Sequence, residues 1–280
     1  MILIGWRGQP GKDDEPQHLF QGRVTIPLLE TLEIPCRLLP SDTAAAVECL
    51  GKSVAAAKAL SGPVAIVVQS DTFGADSETG TVANGYELSR EEALATVVGA
   101  LDGRDAVVVT TGKASREVYD YRRDRGPAVP QQEFLTVGSM GHASQIALGV
   151  ALSQPDRRVF CLDGDGALLM HMGSLALIGC SSPRQLVHVV LNNGCHESVG
   201  GQPTVGFEID IPRVAESCGY SATTSVSTIT DLKSCLNRFR EIEGPCLLEV
   251  RISASARKDL GRPQTAPTDG RDAFMEFLRL

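Results

Sequence analysis

Short apolar runs rich in β-branched residues recur along the chain, and segments with the spacing of amphipathic helices separate most of them, for example residues 89–101 and 144–154. The apolar runs lack the strict alternation of strands that face water on one side. Strands of this type are found in parallel sheets covered by helices on both faces. The sequence therefore predicts an α/β fold with doubly wound parallel sheets. The predicted strands are residues 1–5, 64–69, 106–111, 134–138, 159–164, 186–193 and 246–252.

A polar, glycine-bearing segment without apolar periodicity, residues 75–88, is predicted to be a linker. Before it, residues 1–74 supply about three strands and two helices, which is half of a doubly wound domain. After it, residues 89–255 form a complete α/β unit. Residues 256–280 are a proline-rich tail that ends in a short amphipathic helix. We therefore expect two domains, of which the first is incomplete.

The composition limits the kinds of binding partner and the cellular compartment that we expect. The 280 residues carry a formal net charge of -8, and no run of Lys or Arg offers a surface for nucleic acid. A small molecule is the expected ligand. The eight cysteines form no CxxC pair and several lie in apolar runs, which is typical of reduced thiols. Because neither a secretory signal nor a membrane span is visible in the sequence, we expect a cytoplasmic protein.

The sequence Asp-Gly-Asp-Gly at residues 163–166 follows a predicted strand and allows three interpretations. A tight turn is the simplest, because Asp-Gly favours turns. A calcium loop of the EF-hand type is excluded, because its fifth and twelfth positions would be Ala167 and Ser174. The third is a metal-diphosphate site, in which the glycines let backbone N–H groups approach a phosphate and Asp165 binds the bridging cation.

A second polar strand end, Asn192-Asn193, follows the next strand along the chain. If the two parallel strands are neighbours, Asp165 and an asparagine side-chain oxygen, assigned here to Asn193, converge on one ion. The backbone carbonyl of Cys195 would be a third ligand. Oxygen ligands of this kind suit Mg²⁺. Taken alone, Asn-Asn-Gly is equally consistent with a turn.

These two motifs, on a strand, helix, strand frame, resemble the signature of the thiamin diphosphate enzymes. Further segments resemble the phosphonopyruvate decarboxylase family, whose close relatives are the sulfopyruvate decarboxylases. The resemblance implies the thiamin diphosphate-binding fold, with residues 1–74 as the C-terminal half of a pyrimidine-binding domain and residues 89–255 as the diphosphate-binding domain. The segments that carry it are residues 3–23, 110–120, 134–149, 192–204 and 259–267.

The resemblance also implies an activity. Thiamin diphosphate and Mg²⁺ would be the cofactors, and 3-phosphonopyruvate would be decarboxylated to phosphonoacetaldehyde and CO₂ in phosphonate biosynthesis. Sulfopyruvate decarboxylation is an alternative, as is a non-catalytic cofactor-binding subunit or remnant. Because similar enzymes build each site from domains of two subunits, a homodimer or larger oligomer is expected.

Several residues are candidates for holding the cofactor. The resemblance places Met140 where a bulky side chain props thiamin diphosphate in its bent form, although a methionine there could also fill a gap in the core. The spacing Gly138-x-x-Gly141 before a helix is a weak indication of phosphate binding. The predicted cofactor-binding residues are Thr111, Gly112, Gly138, Ser139, Met140, Gly164, Gly166 and Ala167.

Other residues are candidates for substrate binding and proton transfer. A doubly anionic phosphonate needs cationic partners, and Arg7, His18 and Lys113 are the candidates, with solvated loop charges as the alternative. His196 and His142 flank the cofactor segments and could transfer protons, because histidine titrates near neutral pH. Either histidine could instead support a loop.

The resemblance further implies an activating glutamate inside an Asn-Glu-Gly type sequence of the pyrimidine-binding domain. The 280 residues contain no such sequence. Three accounts are open: a second subunit carries it, the chain is truncated, or the chain is a cofactor-binding remnant. Truncation is favoured, because two-subunit members of the family divide between domains. We expect turnover to require the missing N-terminal region.

Overall fold

The computed structural model describes residues 1–74, 84–124, 131–257 and 259–280. The chain divides into two units, residues 1–78 and 79–280. Each unit contains a parallel sheet with helices, which confirms the predicted fold class. None of the described helices combines the length and the apolar character that crossing a membrane would require.

The first unit contains three strands and two helices. They are β1 (Ile2–Gly5), α1 (Pro16–Thr31), β2 (Cys36–Leu38), α2 (Thr43–Leu60) and β3 (Ala65–Val68). The strands are parallel in the order β1-β3-β2. Asp42 starts α2, because its carboxylate accepts a hydrogen bond from the Ala45 N–H at 2.9 Å. A small core of Leu29, Ala65 and Val67 lies between sheet and helix.

The second unit contains the remaining elements. Its strands are β4 (Ala106–Val109), β5 (Glu133–Leu135), β6 (Val159–Gly164), β7 (Leu186–Asn192), β8 (Cys195–His196), β9 (Gln202–Pro203), β10 (Ala222–Val226) and β11 (Cys246–Arg251). Its α-helices are α3 (Arg90–Gly99), α4 (Lys113–Arg123), α5 (Ala143–Ser153), α6 (Asp165–Met170), α7 (Ser174–Ser181), α8 (Ile211–Ser217), α9 (Ile229–Arg240) and α10 (Pro267–Phe277).

Six of these strands form a parallel sheet in the order β10-β11-β7-β6-β4-β5. Both of its faces are buried: Phe160 and Leu162 of β6 lie in one core, and Val159 and Cys161 lie in the other. Helices α3, α4 and α9 contribute to the first core, and α5, α7, α8 and α10 contribute to the second. Because the central strands are buried on both faces, their sequences show apolar runs rather than alternation.

The structure differs from the predicted strands in four places, one of which is β2 (Cys36–Leu38), a strand that the sequence does not locate. The strand predicted at residues 134–138 ends at Leu135, and Gly138 and Ser139 have the positive φ values of a turn. The sequence does not predict β10, because this edge strand is rich in Thr and Ser and is only partly buried. It also does not predict the antiparallel pair β8 and β9, whose strands have two residues each.

Strands β6 and β7 lie side by side, with Gly164 of β6 paired to Leu191 of β7. Their carboxyl ends therefore meet at the same edge of the sheet. Asp165 follows β6 as the first residue of α6, and Asn193 follows β7. The predicted adjacency of the two strand ends is thus present.

Close backbone packing at Gly179 yields a test of the second core. An alanine Cβ at this position of α7 would overlap the carbonyl oxygen of Cys218, at the end of α8. We expect Gly179→Ala to lower the free energy of unfolding by about 1–3 kcal/mol, measured by chemical denaturation. Gly149→Ala in α5 is the control, because its Cβ would meet no atom within 4 Å. Equal destabilisation by the two substitutions would contradict the tight contact.

Candidate active site

The Asp165 carboxylate lies in a buried position at the carboxyl edge of the sheet, with 3% of the residue exposed. The Thr204 hydroxyl donates a hydrogen bond to its Oδ2 atom, and the backbone N–H of Asn193 also donates to this carboxylate. Burial raises the pKa of Asp165, and these hydrogen bonds oppose the rise. Asp165 and Asn193 are thus in contact, and Thr204 joins them.

The two asparagines have different surroundings. The fully buried Asn192 amide donates to the Gly206 carbonyl at 2.8 Å and to Glu249 Oε1 at 2.7 Å, and its Oδ1 atom accepts from the Gly194 N–H at 3.1 Å. Asn193 Oδ1 accepts from the Cys195 N–H at 3.1 Å. Asn192 therefore holds the following loop in place, while the Asn193 side chain contacts Cys195 and Glu197.

The loop after β7 returns to Asp165 through the short β8–β9 hairpin. The Thr204 N–H donates to the Gly194 carbonyl at 2.8 Å, which closes the loop and brings the Thr204 hydroxyl to Asp165. Gly194 has a φ of +71°, and a Cβ there would collide with the ring of Phe207. Sequence reasoning missed Thr204, because its role depends on this return of the chain.

The predicted cofactor turns lie next to each other. The Gly138 N–H donates to Thr111 Oγ1 at 3.0 Å, which joins the turn after β5 to the turn before α4. Gly138, Ser139 and Gly112 all have positive φ values. Positive φ values of this kind also occur in the backbone turns that bind anions.

Met140 and His196 meet at Gly166. A Cβ added to Gly166 would lie 2.7 Å from the His196 ring and 3.3 Å from Met140 Cε, so the absence of a side chain at this position makes room for both. Ala167, the next residue, is buried in α6. The other predicted histidine, His142, is exposed and packs edge-on against His171, with ring centroids 4.4 Å apart.

Lys113 belongs to a buried ion network beside these turns. Its Nζ atom lies 3.2 Å from Glu197 Oε1, and Arg90 Nη1 lies 2.7 Å from Glu197 Oε2. Arg90 also binds Glu117 of α4 through two hydrogen bonds of 2.8 and 2.9 Å. Burial raises the pKa of Glu117, and the Arg90 guanidinium opposes that rise. The Asn193 amide donates to Glu197 at 3.3 Å, so the network reaches the predicted metal ligand.

Arg7 and His18 lie in the first unit and share a carboxylate partner. Asp14 accepts from Arg7 Nε at 2.9 Å and from the Gly8 N–H at 2.6 Å, and its Oδ1 atom lies 3.0 Å from His18 Nδ1. The Arg7 guanidinium holds the pKa of Asp14 well below its usual range. Asp14 therefore fixes the positions of both predicted substrate contacts.

Residues that sequence reasoning missed fasten the loop after β7 to its surroundings. The Asn84 amide donates to the backbone carbonyls of Asn193 and Ile252, at 2.9 Å each. Asn84 falls within the predicted linker, where its polar neighbours gave no indication of such a role. The ion-pair residues Arg90, Glu117 and Glu197 were also missed, although a charged residue on the inner face of a helix, such as Glu117, is a usable signal.

Comparison with known proteins identifies the family. A profile of the C-terminal TPP-binding domain of thiamine pyrophosphate enzymes matches residues 110–250, and thiamine pyrophosphate is thiamin diphosphate under its other name. The phosphonopyruvate decarboxylase of Streptomyces viridochromogenes is 38% identical over 298 residues, which cover 99% of this chain and 72% of the relative. The chain belongs to the thiamine pyrophosphate enzyme family.

Further relatives agree with this placement. The phosphonopyruvate decarboxylase of Streptomyces hygroscopicus is 36% identical, covering 99% of this chain and 71% of the relative. Subunit beta of the Methanocaldococcus jannaschii sulfopyruvate decarboxylase is 34% identical over 68% of this chain and 97% of its own length. This thiamin diphosphate-dependent enzyme is therefore a decarboxylase, a carboxy-lyase.

Solved structures share the fold. A protein from Mycobacterium smegmatis described as a thiamin diphosphate-dependent enzyme superposes with a TM-score of 0.52 at 17% identity, covering 90% of this chain and 48% of that chain. Benzoylformate decarboxylase from Polynucleobacter necessarius gives 0.50 at 18% identity, covering 68% of this chain and 36% of that chain. The thiamin diphosphate-binding fold predicted from the sequence is thereby confirmed.

The position of Gly206 allows a test of this site in the decarboxylase. An alanine Cβ there would lie 2.9 Å from Asp165 Oδ2 and 2.8 Å from Asn192 Oδ1, and would displace both oxygens. We expect Gly206→Ala to weaken thiamin diphosphate binding by about 10–100-fold, measured by calorimetry in a buffer that contains Mg²⁺. Val205→Ala is the control, because the Val205 side chain is 53% exposed. Unchanged affinity in Gly206→Ala would argue against a cofactor site at Asp165.

Proposed function

We propose that this enzyme decarboxylates 3-phosphonopyruvate to phosphonoacetaldehyde and CO₂, a step of phosphonate biosynthesis, with thiamin diphosphate and Mg²⁺ as cofactors. The observation that carries the proposal is the 38% identity to the S. viridochromogenes phosphonopyruvate decarboxylase over 99% of the chain. The subunit beta relatives named for sulfopyruvate match 48% of the chain in Methanothermobacter thermautotrophicus and 68% in M. jannaschii. Similarity across the whole chain thus favours the phosphonate substrate over the sulfonate.

Asp165, Asn193 and the backbone carbonyl of Cys195 are the proposed Mg²⁺ ligands. The buried Asp165 carboxylate would supply negative charge and an oxygen ligand of the kind that Mg²⁺ prefers. Asn193 Oδ1 accepts one hydrogen bond from the protein, which leaves its second lone pair for a cation. Pro203, opposite Cys195 in the hairpin, has no N–H to donate to the Cys195 carbonyl. The donor set therefore fits the cation.

The turns around Gly166 are the proposed cofactor cradle. Backbone groups of Gly164 and Gly166, with those of the Thr111-Gly112 and Gly138-Ser139 turns, hold the diphosphate. This assignment is supported by the hydrogen bond between Gly138 and Thr111 and by the positive φ values of these turns. Met140 and Ala167 contact the rest of the cofactor, since Met140 Cε lies beside Gly166.

The chemistry divides between the cofactor and the side chains. Bound thiamin diphosphate would supply the electron sink that decarboxylation needs. His196, beside Gly166, delivers a proton to the carbon from which CO₂ departs. Lys113 binds the phosphonate, and Glu197 keeps its ammonium group at the edge of the site. His142, exposed beside His171, is assigned to proton exchange with solvent.

Turnover requires, in addition, the activating glutamate that these 280 residues do not contain. A partner subunit that carries this residue would complete the site. In support, a relative matched over 97% of its length is named subunit beta, which makes it one subunit of an assembly. The working enzyme is a dimer or larger oligomer. All eight cysteines are free thiols, which supports a reducing cytoplasmic location.

The metal assignment is tested by calorimetry with thiamin diphosphate and Mg²⁺. Asp165→Ala removes the buried carboxylate and should weaken the Mg²⁺-dependent binding of thiamin diphosphate. The loss should exceed the roughly 10–100-fold effect that is typical of a residue that only supports a metal ligand. The control is Asp156→Ala, which removes an exposed carboxylate just before β6. Full binding by Asp165→Ala would refute the ligand assignment.

The substrate assignment is tested by CO₂ release from 3-phosphonopyruvate and from sulfopyruvate. The chain is assayed alone and after addition of the part of the S. viridochromogenes enzyme that it does not match. We expect turnover of phosphonopyruvate in the combined sample only. Preferential turnover of sulfopyruvate would make the substrate assignment wrong, and cofactor binding without turnover of either acid would identify a non-catalytic protein.

A further inference from the structure

A group of side chains of types that can bind a metal lies inside the sheet, below the carboxyl edge. Cys161 and Asp163 are two residues apart on β6 and point to the same face of the sheet. His188 of β7 is paired with Cys161 and belongs to that face. Their ligand atoms lie within 4.8 Å of one another, and at most 1% of each residue is exposed. A thiol, a carboxylate and an imidazole thus meet in the buried layer.

Two polar atoms of this group have no hydrogen-bond partner among the described residues. Asp163 Oδ1 accepts from the Gly164 N–H at 2.9 Å, but Asp163 Oδ2 is unpartnered. His188 Nε2 is likewise unpartnered, although it lies 3.4 Å from Asp163 Oδ2. Buried polar atoms without partners are uncommon and costly, so each calls for an explanation. Here the two atoms face each other and the Cys161 thiol.

The separation of these atoms suits two ligands of one metal ion. A tetrahedral zinc ion holds oxygen and nitrogen ligands at about 2.0–2.2 Å, which places two such ligands about 3.3–3.5 Å apart. The observed 3.4 Å between Asp163 Oδ2 and His188 Nε2 matches that spacing. A direct hydrogen bond would bring them closer.

Tyr220 orients the His188 ring through a hydrogen bond. Its hydroxyl lies 3.1 Å from His188 Nδ1, and only 5% of the tyrosine is exposed. When Nδ1 carries the proton and donates it to Tyr220, Nε2 presents a lone pair to the unpartnered Asp163 oxygen and the Cys161 thiol. Metal-binding histidines generally have an outer partner of this kind.

The charges of the group favour a divalent ion of borderline softness. A thiolate and a carboxylate neutralise two positive charges, and a neutral imidazole adds none, so the complex is neutral inside an apolar layer. Sulfur, nitrogen and oxygen ligands together suit zinc, whereas Mg²⁺ prefers oxygen alone. Burial raises the pKa of the Cys161 thiol well above its ordinary value, and a bound metal would reverse that shift.

We propose that Cys161, Asp163 and His188 bind one zinc ion that is separate from the Mg²⁺ site at Asp165. The ion links β6 to β7 directly beneath the strand end from which Asp165 projects. It stabilises the position of that end, and it takes no part in the decarboxylation.

Metal analysis of the purified chain tests the proposal. After dialysis against a buffer with saturating Mg²⁺ and no zinc, the wild-type chain should retain about one zinc per chain. Cys161→Ser and His188→Gln should lose it. Cys246→Ser is the matched control, because Cys246 is also buried, with 1% exposed, but lies in the core on the other face of the sheet. Retention of zinc by folded Cys161→Ser and His188→Gln would overturn the proposal.

A spectroscopic measurement covers the case in which these variants do not fold. Wild-type chain refolded with Co²⁺ in place of zinc should show the near-ultraviolet absorption of a thiolate bound to cobalt. Cys246→Ser should show the same absorption with equal intensity. The proposal would be wrong if the wild-type chain retained no zinc and gave no thiolate absorption after refolding with Co²⁺. In that case Cys161, Asp163 and His188 would bind no metal.

Discussion

Parallel pairing of β6 and β7 is the constraint on which the site depends. The register that pairs Gly164 with Leu191 sets Asp165 and Asn193 side by side beyond the last pair. A shift of one residue would turn every side chain of the strand to the opposite face. Phe160 and Cys161 would then exchange cores, and the buried layers on both sides of the sheet resist that exchange. Packing in the core thus determines the position of polar groups at the edge.

The positions of strands β6 and β7 can be predicted from local sequence. Runs such as residues 159–164 and 186–193 predict buried strands, and the structure ends β6 at Gly164 and β7 at Asn192. The adjacency of the two strands then follows from the rules of parallel sheets with short connections. By contrast, β10 is a polar edge strand, and its sequence does not distinguish it from a loop.

The contacts around Asp165 cannot be predicted from local sequence, because they join residues that are far apart in the chain. Thr204 is 39 residues from Asp165 in sequence, and Arg90 is 107 residues from Glu197. Their meeting depends on the path of the loop after β7 and on the glycines that let it turn. A sequence pattern predicts which residue types a site needs, but not which polar residue of a returning loop will provide the last hydrogen bond.

The Asp-Gly-Asp sequence at the end of β6 separates two environments within three residues. Asp163 still follows the strand and enters the buried layer with His188, whereas Asp165 begins α6 and enters the edge site. One rigid strand therefore carries both groups, and a displacement along its axis moves them together. Tyr220 belongs to the same buried core as Val159 and Cys161 of β6, so packing in that core helps to set the position of Asp165. A change of volume in that core would therefore be felt at the edge site as well as in the stability of the fold.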